Sequence, residues 1–240
     1  MRGGPPAAAP GPIRYDPGSM ESFDAVIFDM DGLLLDSERI ALEVFNETCG
    51  RFGFAPRTEV FVRCLGVNKE TSRRVLEQAL QGLADPVAFG RAWDEAYALR
   101  VAREPAPLKD GVTALLEHLQ SLGVPAAVAT STATERARAK LGGAGILHHF
   151  REVVGGDQVR RSKPQPDIYL RAAMLLEVDP TRCLALEDSE NGVRAAVAAG
   201  MTVVQVPDIV PPSEELRREG HVVLASLREV VGHAFAGVPA

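Results

Sequence analysis

The chain has 240 residues, of which 46% are apolar and 24% are charged, as in an ordinary globular protein with one large domain or a core domain plus a smaller inserted one. It contains no apolar run of about 18 residues, so no membrane-spanning helix is expected. Its net charge of -6 argues against a protein that coats nucleic acid, because phosphates call for a basic face. We therefore expect a cytoplasmic protein that binds neither a membrane nor nucleic acid.

The three cysteines are widely spaced, and their number is odd: Cys49, Cys64 and Cys183. No C-x-x-C pair occurs, so neither a disulfide framework nor a zinc site is indicated. Residues 1–19 are rich in Gly, Pro and Ala and lack the apolar central stretch of a secretory signal. We interpret them as a disordered N-terminal extension, with Met20 directly before the first structured element.

The rest of the chain alternates between strand and helix patterns. The apolar run F-D-A-V-I-F at 23–28 predicts a buried strand, and further strands are predicted at 125–129, 152–154, 183–186, 202–206 and 222–225. Helical spacing of apolar residues lies between them, at 112–122, 168–176 and 192–199. This alternation predicts an α/β fold whose core is a three-layer, parallel, Rossmann-like sheet.

The stretch from 38 to 106 breaks the alternation, because it holds helical patterns at 41–52, 69–80 and 86–101 and no convincing strand. The segment E-P-A-P at 104–107 then has the composition of a stiff linker. The sequence therefore predicts a small α-helical cap domain at 38–107, inserted into an α/β catalytic core made of 20–37 and 108–240. The linkers at its two ends are the expected hinges.

Chemically useful side chains follow the predicted strands. The first strand ends in D-M-D-G, which puts the carboxylates of Asp29 and Asp31 on one side of an extended chain, where they repel unless a cation or a shared proton relieves them. The second strand ends in A-T-S-T, in which Thr130 and Ser131 precede a helix and can hold an anion. Gly32 allows the sharp turn after the two aspartates.

Two later loops add a cation and two more acids. The segment S-K-P-Q-P-D places Lys163 beside prolines that restrict its backbone, and E-D-S-E-N-G places Glu187 and Asp188 at the end of the strand at 183–186. Ligands of open α/β sheets bind beyond the carboxyl ends of the strands, so we expect all four groups to share one site. Hard oxygen ligands without His or Cys favour Mg²⁺ over zinc.

These four motifs, in this order, resemble those of the haloacid dehalogenase-like hydrolase superfamily. The helical insertion resembles that of its helical-cap subgroup, which includes beta-phosphoglucomutase and phosphoglycolate phosphatase. The resemblance runs from Phe23 to the end of the chain. It implies a magnesium-dependent phosphatase that hydrolyses a small phosphomonoester, such as a sugar phosphate, through an aspartyl-phosphate intermediate. Members that cleave carbon–halogen bonds lack the second aspartate, so Asp31 points to phosphoryl transfer.

The resemblance also implies roles for single residues. Asp29 would be the nucleophile and Asp31 the general acid and base. Thr130, the amide of Ser131 and Lys163 would bind phosphate. The metal would be held by Asp29, Asp188 and the backbone carbonyl of Asp31, with Glu187 acting directly or through water. In the cap, Lys69 matches an arginine that binds substrate in the mutase, although a solvated helix start explains it equally well. The spacing of Trp93 and Tyr97 is more typical of core residues than of ligands.

Phosphatase and mutase share this nucleophile and differ in whether water or a second sugar hydroxyl accepts the phosphoryl group. In the mutase a histidine follows the first motif, but Ala41 stands at that position here. We therefore favour a phosphatase acting as a monomer, with a phosphosugar mutase as the alternative. A non-catalytic member of the fold that binds a metabolite is the third hypothesis.

Overall fold

The computed structural model describes residues 23–65, 67, 69–218 and 220–235, so the extension predicted at 1–19 lies outside the described residues. Six parallel strands form one sheet in the order β3-β2-β1-β4-β5-β6, with β1 and β4 at the centre. The predicted fold class is confirmed. The strands are β1 (Ala25–Phe28), β2 (Ala126–Thr130), β3 (Glu152–Gly155), β4 (Cys183–Glu187), β5 (Thr202–Gln205) and β6 (Val222–Val223).

Strand β1 is apolar on both sides because both faces of the sheet are covered. Val26 and Phe28 pack into one hydrophobic cluster, whereas Ala25 and Ile27 pack into a second cluster on the opposite face. The first face is covered by α5 (Val112–Ser121), α6 (Thr134–Gly143) and α10 (Leu227–Ala234). The second face is covered by α7 (Asp167–Leu176) and α8 (Glu190–Ala198), while the short α9 (Glu214–Arg217) adds Leu216.

Four helices lie between β1 and α5, and we call them the helical insertion: α1 (Ser37–Arg51), α2 (Thr58–Cys64), α3 (Lys69–Ala79) and α4 (Pro86–Arg103). Most of their buried apolar residues pack into a cluster of their own around Phe45. The Phe45 ring lies 5.7 Å from that of Phe61, 5.3 Å from Phe89 and 5.0 Å from Trp93, measured between centroids. The cap bounds 38–107 stay a prediction.

The two linkers of the helical insertion run side by side. The amide of Asp36 donates to the carbonyl of Pro107 at 2.9 Å, and Leu35 forms an antiparallel bridge with Leu108. The amide of Lys109 continues this contact by donating to the carbonyl of Leu34. Among the described residues, every helix is too short or too polar to cross a membrane.

Candidate active site

A cavity of about 430 Å³ opens beyond the carboxyl ends of β1, β2 and β4. Among the residues lining it are three of the candidate acids that follow β1 and β4, together with the loop after β2 and the predicted lysine: Asp29, Asp31, Asp188, Thr130, Ser131 and Lys163. The structure therefore brings these six predicted residues together. Glu187, the seventh residue of these motifs, is fully buried and accepts a hydrogen bond from Lys163, which lines the cavity.

Lys163 connects two of the acids. Its Nζ lies 2.5 Å from Oδ1 of Asp29 and 2.5 Å from Oε1 of Glu187, and the lysine side chain is only 3% exposed. A buried ammonium is costly unless it is paired, and here two carboxylates pair with it. Burial lowers the pKa of Lys163, but the charges of Asp29 and Glu187 outweigh burial and raise it, so the lysine stays cationic at neutral pH.

The carboxylate of Glu187 is saturated with hydrogen bonds. Besides Lys163, Oε1 accepts from the hydroxyl of Tyr169 at 2.5 Å. Oε2 accepts from the amides of Asp188 and Ser189 and from the hydroxyl of Ser189. This geometry suits Glu187 to fixing Lys163 and the loop after β4. The sequence pattern did not indicate that Tyr169 belongs to the site, because its spacing is that of an ordinary apolar position of α7.

The acids form a group that a divalent cation would fit. One carboxylate oxygen from each of Asp29, Glu187 and Asp188 lies within 4.8 Å of the others, and all three residues are buried. Burial raises the pKa of Asp29 to about 7, with Lys163 opposing and Glu187 adding to the rise. Burial and the nearby charges of Glu38 and Asp29 also raise the pKa of Asp188. A cation would relieve this unfavourable charge, and hard oxygen donors suit Mg²⁺.

Glu38, at the start of α1, is an additional acid that the motifs did not single out. It lines the cavity, and burial raises its pKa to about 8, with Asp208 and Asp31 adding to the rise. Gly32 lets the acids approach each other closely. Its φ is +86°, and a Cβ there would overlap the carboxylate of Asp188.

The carboxylate of Asp31 is not part of the group formed by Asp29, Glu187 and Asp188, and it has donors of its own. Its Oδ1 accepts from the Ser37 hydroxyl at 2.6 Å and from Lys140 Nζ at 2.7 Å, and its Oδ2 accepts from the Thr132 hydroxyl at 2.7 Å. Burial alone would raise the pKa of Asp31, but Lys140, Ser37 and Thr132 together hold it below its usual value. The group is therefore an ionised acceptor in this conformation. Lys140 has no motif that could have revealed it.

The loop after β2 forms the opposite wall of the cavity. Thr130 is buried, and its hydroxyl accepts from the amide of Thr132 at 3.1 Å, while Ser131 is exposed at the cavity edge. Asp157 caps the following helix, because its Oδ1 accepts from the amide of Thr134 at 2.7 Å and from its hydroxyl at 2.8 Å. The loop is thus held in place at the start of α6, where free amides favour an anion.

A second cavity of about 210 Å³ lies between Asp31 and the helical insertion. Trp93 and Tyr97 are half-buried and line it, and Trp93 also packs against the cluster around Phe45, as its spacing predicted. Ala41 also lines it. Lys69 begins α3, but its side chain lies outside the described residues, so its predicted contact with substrate stays a prediction.

Residues 26–206 match the family model described as haloacid dehalogenase-like hydrolase. Fructose-1-phosphate phosphatase YqaB of Escherichia coli is 34% identical over 188 residues, covering 78% of this chain and 97% of its own length. A probable pseudouridine-5'-phosphatase of Drosophila melanogaster is 34% identical over 226 residues, covering 89% and 94%. The crystal structure of CbbY from Rhodobacter sphaeroides in complex with phosphate superposes with a TM-score of 0.70 at 30% identity, covering 87% and 96%.

Proposed function

Because the chain belongs to the haloacid dehalogenase-like hydrolase family, we propose that its site hydrolyses a phosphorylated sugar or a similar small phosphomonoester, with Asp29 as the nucleophile. The protein is a phosphatase of this family. The observation that carries the assignment of the nucleophile is the position of Asp29. Its carboxylate lines the larger cavity, is held by Lys163 at 2.5 Å, and lies next to two further buried acids.

The first chemical step joins Asp29 to the substrate. Asp31, which is ionised in this conformation, first takes up a proton from solvent. An oxygen of Asp29 attacks phosphorus, the bond from phosphorus to the leaving oxygen breaks, and the protonated Asp31 gives that oxygen its proton. Thr130, the amide of Ser131 and Lys163 would bind the phosphate oxygens. In the second step Asp31 takes a proton from water, the water oxygen attacks phosphorus, and the bond to Asp29 breaks. Inorganic phosphate is released, and Asp29 is regenerated.

Mg²⁺ would be held by Asp29 and Asp188, with the backbone carbonyl of Asp31 as a further ligand, and it would neutralise charge on the phosphate as Asp29 approaches. Glu187 is assigned a supporting role, because donors from Lys163, Tyr169 and the loop after β4 already occupy both of its oxygens. We also propose that the helical insertion acts as the cap, with residues near Asp36 and Pro107 as hinges, and that the cavity lined by Trp93 and Tyr97 receives the leaving group.

A phosphatase rather than a mutase is supported by the residues next to Asp31. Within the described part of the chain, neither cavity is lined by a histidine, and Ala41 faces the second one. The distinguishing measurement is phosphate release from fructose 1-phosphate, pseudouridine 5'-phosphate, glycerol 3-phosphate and a panel of further phosphomonoesters, with Mg²⁺ and with chelator. We expect magnesium-dependent release that is strongest for one or two compounds.

Asp29→Asn is the matched control for the covalent mechanism, since it keeps the size of the side chain and removes its nucleophilic charge. We expect it to abolish turnover. Interconversion of hexose phosphates faster than phosphate release would support the mutase instead. Turnover that persists in Asp29→Asn would overturn the assignment of the nucleophile. Substrate binding without turnover in the unmodified protein would leave only a metabolite-binding role.

A further inference from the structure

Lys140 lies outside the motifs, yet it reaches the site of the acid–base carboxylate. It sits on α6, about two turns after the phosphate-binding loop, and its Nζ lies 2.7 Å from Oδ1 of Asp31. Its side chain is only 18% exposed. Removing an ammonium from water is unfavourable unless an acceptor compensates, and Asp31 is that acceptor. Two of the described lysines are thus paired with acids of the site, Lys163 with Asp29 at the larger cavity and Lys140 with Asp31 at the second one.

Three donors from different segments fix the orientation of Asp31. Ser37 lies at the start of the helical insertion, Thr132 in the loop after β2, and Lys140 on the helix that follows this loop. Lys140 is the only charged donor of the three, and charge-assisted hydrogen bonds are about twice as strong as neutral ones. Because Lys140 and Ser37 both donate to Oδ1, two hydrogen bonds fix the position of that oxygen.

The helical insertion contacts the same lysine. Nζ of Lys140 lies 5.1 Å from the centroid of the Tyr97 ring, and Tyr97 belongs to α4. A cation over an aromatic face is attracted by the ring quadrupole. Lys140 therefore has one partner in the sheet-bearing part of the chain, Asp31, and one in the helical insertion, Tyr97. A displacement of α4 would change the surroundings of the lysine and, through it, of the carboxylate.

We propose that Lys140 is a positioning residue that orients the carboxylate of Asp31 for proton transfer, and that Tyr97 makes this orientation depend on the position of the helical insertion. The inference rests on the proposed function, because it assigns Lys140 to the acid–base group of that mechanism. Lys140 lines the second cavity beside Asp31 and is not among the residues that line the larger cavity with Asp29. Its effect is confined to the steps in which Asp31 gives or takes a proton.

The test compares two substrates that differ in their need for a proton. When an alkyl phosphate is cleaved, the electron pair of the broken bond goes to an alkoxide oxygen, which needs the proton of Asp31. p-Nitrophenyl phosphate releases a stabilised phenolate that departs without one. The value of kcat/KM reports on this first step for both substrates, because it ends with departure of the leaving group. The alkyl substrate is the sugar phosphate most active in the panel.

Lys140→Met keeps most of the length of the side chain and removes its charge. General acid–base catalysis contributes about 10²- to 10⁴-fold, so losing only its orientation should lower kcat/KM for the sugar phosphate by about 10- to 100-fold. For p-nitrophenyl phosphate we expect a fall of less than about threefold. Lys140→Arg retains the charge and should restore most of the kcat/KM that Lys140→Met loses on the sugar phosphate. Tyr97→Leu should lower the ratio of kcat/KM for the sugar phosphate to kcat/KM for p-nitrophenyl phosphate, as Lys140→Met does, but by a smaller factor.

Arg138→Met is the matched control, since it removes one positive charge from an exposed position of the same helix. It should leave the ratio of the two kcat/KM values unchanged. An equal loss on both substrates in Lys140→Met would show a merely structural role and overturn the inference, as would no loss on either. If Lys140→Met does not fold, Lys140→Gln is judged by the same ratio. Failure of the proposed function looks different, because the unmodified protein would then release no phosphate from either substrate.

Discussion

Replacing Tyr169 with Phe would remove one hydroxyl group from beneath the site and leave the ring in place. The hydroxyl donates to Oε1 of Glu187 at 2.5 Å, and Tyr169 is fully buried, so water cannot replace the lost partner. A hydrogen bond to a charged group contributes about 1.5–3 kcal/mol to stability. Because Oε1 keeps its bond to Lys163, we expect the lower half of this range, about 1.5–2 kcal/mol.

For a domain of this size each kcal/mol lowers the unfolding midpoint by about 2–4 °C, so Tyr169→Phe should lower Tm by about 3–8 °C. The assay is thermal unfolding followed by circular dichroism at pH 7 in chelator, so that metal binding does not add to stability. The matched control is Tyr169→Phe made in a Glu187→Gln background. There the acceptor is neutral, so the further loss should fall to about 1 kcal/mol or less.

Two results would refute this reasoning. One is a Tm within about 1 °C of the unmodified protein, which would mean that the buried hydroxyl contributes no net stability. The other is a loss from Tyr169→Phe that is equal with and without the Glu187→Gln substitution, because the contribution of the hydroxyl would then not depend on the charge of its acceptor. Either result would also remove the basis for assigning Glu187 a supporting role through its hydrogen bonds.

Three further perturbations test other parts of the site. Gly192→Ala would place a Cβ against the carboxylate of Glu187 and should cost about 1–3 kcal/mol by thermal unfolding, whereas Gly142→Ala has room and should cost less. Asp157→Ala should lower Tm by removing the cap of α6, and Asp157→Asn, which keeps an acceptor, should recover most of the loss. The half-saturating Mg²⁺ concentration should fall about tenfold from pH 6 to pH 8. The reason is that the pKa of Asp29 is raised to about 7, so Asp29 is protonated below that pH and binds the cation only when ionised. An affinity for Mg²⁺ that does not change with pH would contradict this.

The fold was predictable where hydrophobic patterning alone decides the structure. The apolar run of β1 and the helical spacing of α5 and α7 each led to an element within one or two residues of its observed bounds. Helix α2 was missed because T-E-V-F-V-R-C is rich in residues that favour strands, and its helical form depends on packing of Val60 and Phe61 in the cluster around Phe45. A helix was expected after Ser131, but the bounds of α6 were not predicted because it buries only Ala137 and Leu141.

The candidate site was predictable as a set of loops but not as a set of contacts. Asp29 and Lys163 are 134 residues apart, and they could be paired only because both belong to motifs at strand ends. Lys140 and Tyr169 belong to no motif, and their partners Asp31 and Glu187 are 109 and 18 residues away. No local pattern encodes such contacts, because they arise when α6 and α7 pack against the sheet.

The side-by-side linkers of the helical insertion also bear on how such a protein can change over evolutionary time. Since Asp36 and Pro107 are joined by a backbone hydrogen bond, the intervening segment starts and finishes at nearly the same point. Replacing it with a different module, or with a short turn, would leave β1 and β2 in register and add little closure entropy. The strand ends that carry Asp29 and Asp31 and the segment proposed as the cap can therefore diversify separately, so a change in the segment leaves the side chains at the strand ends in place.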